Sequence, residues 1–486
     1  MNRKIKTWAY AILLLNIIVA GIGIAKLLFD VFTGNGNTQD GLLFQNLHLT
    51  AYSTDSFMDF FNSIQYGRKP YTVGVIYPPL INLIYAIFGM GIPDSVKAQG
   101  TLAYRTSLQG IVALVLFYVM AVLLYIIAWK DDSRFTNKEK LFLTTATFFT
   151  LPFIYAVERG NSLLWCVPLT MLFVNNYNKK EKSKRILAIV ALALAASMKM
   201  YPAFFGILLV REKKWKEALT AVVVGAITMF APFLLMEKGN RSPLLWLSNI
   251  AKTSEMFQST GYGYKVNLSN TIGFIESQFG IHITGTNFLI IAVLLINSLL
   301  VLIKKNMHQW KCIALLALIT ILVPGFSYTY TIMFMLIPFF CFLGSEHDQK
   351  WDCYYLILFM LMFVLLPIKN QFGGLEAINM DAVSILMSFM ITFFATALGI
   401  DLSIGTMVTV LACNVLLSIG TPGVPGGAIA AFAALCPIAG IPTNQILGVY
   451  ISVNTLCDMG ATCVNVIGDL ACSTVLKQTL HFDKKK

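Results

Sequence analysis

The feature that most constrains this chain is a recurrence of apolar runs, at residues 8–29, 111–129, 218–236, 288–303, 312–323, 354–367 and 383–400, parted by more polar stretches. A bilayer core about 30 Å thick takes ~20 helical residues to cross. The longer runs therefore span by themselves, and the shorter ones recruit flanks or sit inside a bundle. Only 12% of the 486 residues are charged and 57% are hydrophobic, whereas a soluble globular protein carries roughly 25% charged residues. Mean hydropathy is +0.71. Water is not the solvent for most of such a surface. The reading is an all-α polytopic integral membrane protein embedded in a lipid bilayer. With weaker runs included it has about eleven to thirteen membrane helices.

The formal net charge of +12 does not point to nucleic acid, because the cations sit in short clusters between apolar runs. Arg3, Lys4 and Lys6 precede the first run. Lys179, Lys180, Lys182, Lys184 and Arg185 form a second cluster, Arg211, Lys213, Lys214 and Lys216 a third, and Lys304, Lys305 and Lys311 a fourth. That is the positive-inside pattern, which puts these loops in the cytoplasm and the protein in the cytoplasmic membrane. The first apolar run is longer than a signal-peptide core and lacks an A-x-A site, so it reads as a retained signal anchor. None of the nine cysteines forms a C-x-x-C pair. They read as buried thiols, with no disulfide framework or zinc site.

Two polar stretches, 31–75 and 237–286, read as long outer loops, and loops of that length are commonly functional. The topology before residue 140 leaves two alternatives. Either the segment opened by Tyr77-Pro78-Pro79 is re-entrant, or the mixed-charge stretch 130–140 lies outside. Residues 186–210 carry Lys199 and Pro202 between two basic loops and read as a broken helix pair dipping to the outer side.

Asp59 precedes an aromatic pair, while Arg159 and Lys199 stand at helix breaks on the same expected side. Ionisable groups in membrane segments are costly and mark function. Sugar transfer from a lipid phosphate to a hydroxyl needs a carboxylate to take the hydroxyl proton and fixed cations to stabilise the departing phosphate. The series Asp59-Phe60-Phe61, Pro70-Tyr71, Tyr77-Pro78-Pro79, Arg159-Gly160-Asn161 and Lys199-Met200-Tyr201-Pro202 resembles glycosyltransferase family 87 over roughly residues 1–370. The resemblance implies a GT-C-like helical bundle that takes a sugar from a polyprenyl-phosphate donor to an envelope lipid or glycan acceptor outside the membrane. It makes Asp59 the catalytic base, with Asp55 as the alternative, and Arg159 and Lys199 the holders of the donor phosphate. No cofactor is implied, because side chains can neutralise a single lipid phosphate.

Composition changes after Phe372-Gly373-Gly374, where small residues replace Phe, Tyr and Leu. Asn379-Met380-Asp381 puts a carboxylate into an apolar stretch, and the Pro/Gly run from Ile419 to Gly427 cannot be a continuous helix. Asp458, Thr462, Asn465 and Asp469 follow at helical offsets that line one face. This pattern resembles the C-terminal part of dicarboxylate/amino acid:cation symporters, a helix, re-entrant hairpin and helix of the glutamate-transporter fold, over residues 376–480. The resemblance implies sodium ligands at Asn379, Asp381, Ser418, Ile419, Thr421 and Asp469. It places a substrate amino group at Asp458 and its carboxylate end at Thr462 and Asn465. Ala461 and Val383 stand where acidic-substrate members carry polar contacts, which implies a neutral substrate or no transport. The segment lacks the first hairpin and scaffold helices of that fold. Its orientation also clashes with that expected upstream, since the basic tail at 483–486 would end outside. Both facts point to a fusion.

Overall fold

A computed structural model describes residues 2–32, 57–257, 265–279, 285–345 and 352–363. The described chain is helical, with an isolated antiparallel bridge between Lys265 and Tyr328. Helices α1 (Asn2–Phe32), α2 (Met58–Tyr66) and α3 (Pro79–Phe88) are followed by the short α4 (Asp94–Lys97) and α5 (Thr101–Thr106). Then come α6 (Leu108–Lys130), α7 (Asn137–Phe148), α8 (Leu151–Arg159), α9 (Leu163–Asn176), α10 (Lys182–Met198), α11 (Ile207–Arg211) and α12 (Trp215–Phe230). The series ends with α13 (Pro243–Phe257), α14 (Leu268–Phe279), α15 (Thr286–Ile303), α16 (Gln309–Leu322), α17 (Leu336–Leu343) and α18 (Asp352–Phe363).

Local chemistry sets many of these ends. The Ser107 side chain accepts from the Gly110 N–H to open α6, and Thr136 with Glu139 forms a capping box on α7. Pro79 and Pro152 stand in the first turns of α3 and α8, where a missing N–H costs nothing. Among the described residues four helices are long and apolar enough to cross a membrane, and the α7–α8 pair, bent by 63°, makes a fifth if the two helices form one span. Shorter apolar helices fill the bundle around them. In α9 and α16 nearly every residue is buried, as suits helices that are apolar all round. No residue of α12 is buried, and its exposed Leu219, Val222, Val223 and Ile227 form an apolar outer surface. Cys166, Cys312 and Cys341 are buried free thiols, whereas Cys353 is exposed.

Ion pairs and hydrogen bonds gather one set of helix ends. Lys6 meets Glu139 at 3.5 Å, Lys184 meets Asp131 at 3.2 Å and Arg185 meets Glu217 at 3.4 Å. Lys214 donates to the Tyr177 carbonyl, Arg211 to the carbonyls of Val301 and Lys305, and Gln309 to the Tyr177 hydroxyl. The starts of α1, α7, α10, α12 and α16 therefore share an end with the finishes of α6, α9, α11 and α15. This basic end includes residues 130–140, and α3, ten residues long, cannot make a full crossing. Of the two topologies left open by the sequence, this arrangement agrees with the re-entrant one.

The long-loop reading needs correction. Residues 58–66 are helix α2, and 237–286 contains α13 and α14. The Asn and Ser residues that suggested loops act as caps and clamps. The Asn267 side chain accepts from the Asn270 N–H to open α14, and Asn249 donates to the Tyr71 carbonyl.

Candidate functional site

The end opposite the basic one is where the expected site residues meet. Asp59 occupies the first turn of α2, with a relative exposure of 9%, and is no solvated loop acid. Its neighbours Phe60 and Phe61 are fully buried and hold α2 in an aromatic cluster with Tyr85, Phe88 and Phe117. Phe57 enters the helix at φ 56°, a conformation unfavourable for a bulky residue, and its N–H donates to the Glu158 carbonyl at 2.7 Å. That bond ties the start of α2 to the end of α8.

Helix α8 finishes in a Schellman turn. The Gly160 N–H donates to the Val157 carbonyl and the Asn161 N–H to the Ala156 carbonyl, with Gly160 at φ 62°. A Cβ on Gly160 would stand 2.7 Å from the Phe60 Cβ, so glycine serves both the turn and the close approach of α2. The turn presents Arg159 to Asp59 in a bidentate pair, Nε to Oδ2 at 3.0 Å and a terminal nitrogen to Oδ1 at 2.8 Å. Asn161 adds a third bond, its Nδ2 donating to Oδ2 at 2.6 Å, while its Oδ1 accepts from the Leu163 N–H to start α9.

Lys199 ends α10 in extended backbone, since Pro202 stops the helix from continuing. Its ammonium is buried and lies 4.1 Å from the centre of the Tyr77 ring. It is within electrostatic reach of both Asp59 and Arg159. The Arg159 guanidinium is 5.9 Å from the ring centres of Tyr155 and Tyr328. Tyr201 and Tyr330 also sit within electrostatic range of Asp59. The structure thus pairs Arg159 with Asp59 and sets Lys199 within electrostatic reach of both, with tyrosine rings beside the two cations. Asn161 and the tyrosines carried no role in the sequence reading. Asn161 stood inside the quoted motif, but only the fold shows its side chain turned to Asp59. Asp55, Asn379, Asp381, Ser418, Ile419, Thr421, Asp458, Thr462, Asn465 and Asp469 lie outside the described residues.

A charged carboxylate paired with one of two cations leaves net charge +1 among these three groups. Of Arg159's five N–H donors, two are engaged by Asp59 and the rest have no partner among the described residues. The arrangement can hold a monoanion and keep a carboxylate beside it.

Comparison with known proteins divides the chain in two. The family model of the sodium:dicarboxylate symporter family matches residues 375–479. Excitatory amino acid transporter 3 of Mus musculus is 35% identical over 92 residues, 19% of this chain and 17% of that protein. The C4-dicarboxylate transport protein of Bacillus subtilis is 31% identical over 109 residues, 22% of this chain and 26% of that protein. Neutral amino acid transporter A of Homo sapiens is 30% identical over 108 residues, 22% of this chain and 20% of that protein. The chain therefore spans about a quarter or less of the length of these curated relatives. No solved structure matches. The model of glycosyltransferase family 87 matches residues 76–324, which contain Arg159, Asn161 and Lys199 and make up half of the chain. With that match laid over the helical membrane bundle, the chain belongs to glycosyltransferase family 87.

Proposed function

We propose that residues 1–370 of this membrane glycosyltransferase transfer a sugar from a polyprenyl-phosphate donor to a hydroxyl of an envelope glycolipid or polysaccharide. The observation that carries the reading is the net +1 cluster of Asp59, Arg159 and Lys199. A polyprenyl-phospho-sugar is a phosphodiester with one negative charge, which this cluster complements without a metal. A nucleotide sugar carries two charges on a pyrophosphate and would leave one unmet. Glu158 is also buried, but one residue along a helix turns it about 100° from Arg159, and it acts on Tyr118.

In the proposed reaction the acceptor oxygen bonds to the anomeric carbon as the carbon–oxygen bond to phosphate breaks. The electron pair leaves with the polyprenyl phosphate, and the acceptor proton passes to Asp59. Oδ1 of Asp59 receives one hydrogen bond among the described residues, so it keeps a lone pair for that proton. The free donors of Arg159 and the Lys199 ammonium meet the charge growing on the phosphate. The positive-inside rule puts the basic end in the cytoplasm. The site at the other end then faces outward across the cytoplasmic membrane, where a lipid carrier delivers activated sugar.

The test is transfer of labelled sugar from polyprenyl-phosphate donors by the full chain in proteoliposomes. Asp59→Asn is expected to abolish transfer while Asp55→Asn retains it. Normal transfer by Asp59→Asn would remove Asp59 as the base, and loss in Asp55→Asn alone would move that role to Asp55.

A second reading applies to residues 376–480, sodium-coupled uptake of a neutral amino acid through Asp458, Thr462 and Asn465. It is supported by the symporter-family match at 375–479. Sodium-dependent uptake that Asp458→Ala leaves intact would count against it.

A further inference from the structure

The phosphate-holding role of Lys199, on which this inference rests, poses a problem of charge. An ammonium buried at the membrane-embedded end of a helix needs something to stabilise it before an anion arrives. A permanent carboxylate partner would do so but would compete with the phosphate. Lys199 has no ion pair among the described residues, and the group packed against it is the face of Tyr77, 4.1 Å from ring centre to Nζ. An aromatic face stabilises a cation without cancelling its charge.

Tyr77 is held with unusual firmness for a residue between helices. It precedes Pro78 and Pro79, which restricts its backbone to extended conformations. Its carbonyl accepts from the Asn82 Nδ2 at 2.9 Å and from the Tyr71 hydroxyl at 3.1 Å. The preceding carbonyl, of Ile76, accepts from the Trp246 Nε1 at 2.8 Å. Tyr71 is itself fixed, its N–H donating to the Asn240 Oδ1 at 2.8 Å and its carbonyl accepting from Asn249 at 2.8 Å. Asn82, Tyr71, Asn240 and Trp246 are all buried. These bonds fix the backbone that carries the Tyr77 ring.

The geometry points to Tyr77 as the positioning residue for Lys199. Its ring face acts as a neutral counter-group that holds the ammonium aimed at the donor phosphate and leaves its charge uncancelled. The segment 240–249 is then part of the donor site at one remove, through its grip on 71–77.

The experiment replaces Tyr77 in the full chain, in nanodiscs, and measures binding of a short-chain polyprenyl methyl phosphodiester alongside the donor KM and kcat. Tyr77→Phe keeps the ring face and is expected to stay within about twofold of the parent. Mono-, di- and trifluorinated phenylalanine at position 77 keep the shape but progressively weaken the face. Binding and donor KM are expected to worsen stepwise, by about three- to tenfold in total, with kcat little changed. In a Lys199→Gln background the fluorinated series is expected to be flat, because the cation is gone. A flat series on the parent background, or an equal slope without Lys199, overturns the role of Tyr77 while the phosphate site stands. A parent chain that binds no polyprenyl phosphodiester overturns the phosphate site and this inference with it.

Discussion

Arginine and lysine serve different ends in two clusters of this bundle. At the basic end, Arg134 is bound by Asp132 and Asn175, Arg185 by Glu217, Lys184 by Asp131, and Arg211 by two carbonyls. Each of these cations closes a helix end or ties two loops, and its bonds are part of the fold. At the opposite end Lys199 rests on a ring, and Arg159 has donors left after Asp59 is served. The difference separates cations whose bonds are part of the fold from two largely buried ones that keep bonding capacity, which is what the proposed donor site requires.

Breaking the site end should produce the largest effects. Removing a charge proposed to stabilise the departing phosphate, in Lys199→Gln or Arg159→Gln, is expected to lower transfer kcat by about 10²–10³-fold. Both variants should insert and run as folded species in size-exclusion chromatography. Gly160→Ala comes next. It forces a side chain into the left-handed region and against Phe60, with an expected stability cost of about 1–3 kcal/mol. Separation of α2 from α8 should also cost activity, read as a fall in kcat in the thermally intact fraction. Asn161→Ala removes one of the three bonds to Asp59, and a kcat loss of about tenfold is expected. Asn161→Asp should not rescue it, since a second carboxylate cannot donate.

The basic end should give the smallest catalytic effect. Asp132→Asn is expected to lower thermal stability in detergent by about 1–3 kcal/mol and to leave donor KM and kcat unchanged. Burial pushes the Asp132 carboxyl upward, but the hydrogen bonds and charge of Arg134 outweigh it and hold it below the usual range. Because the folded value lies below the unfolded one, the pair's contribution is complete above the unfolded carboxyl value of about 3.9. It is lost as pH falls through the folded value. The stability gap between parent and Asp132→Asn should therefore narrow below pH ~4, as followed by intrinsic fluorescence. A gap that widened in acid would show that Asp132 acts through something other than its charge.

Much of this was legible in the residues. Apolar run length gave α1, α6, α12 and α15, because a bilayer fixes the length a span must have, and apolar runs also marked the shorter α16 and α18. Cation clusters gave the shared basic end. Arg159 and Lys199 stood out because charge in apolar surroundings is expensive. The polar segments misled: the asparagines near 240–270 suggested loops, yet their side chains bond to backbone and fix helices. Composition cannot distinguish an asparagine facing water from one capping a helix.

The sequence by itself determined that this chain lives in a membrane, that its basic loops share one side, and that an acid and two cations are candidates for chemistry. These follow from one-dimensional properties, namely run length, charge clustering and motif order. Only the tertiary structure decided that Asp59 and Arg159, a hundred residues apart, form one bidentate pair. It alone placed Asn161 on the same carboxylate and the Tyr77 ring under Lys199. The reason is physical: a hydrogen bond or a cation over a ring depends on direction within a few tenths of an ångström. Those directions are set by how α2, α3, α8 and α10 end against one another.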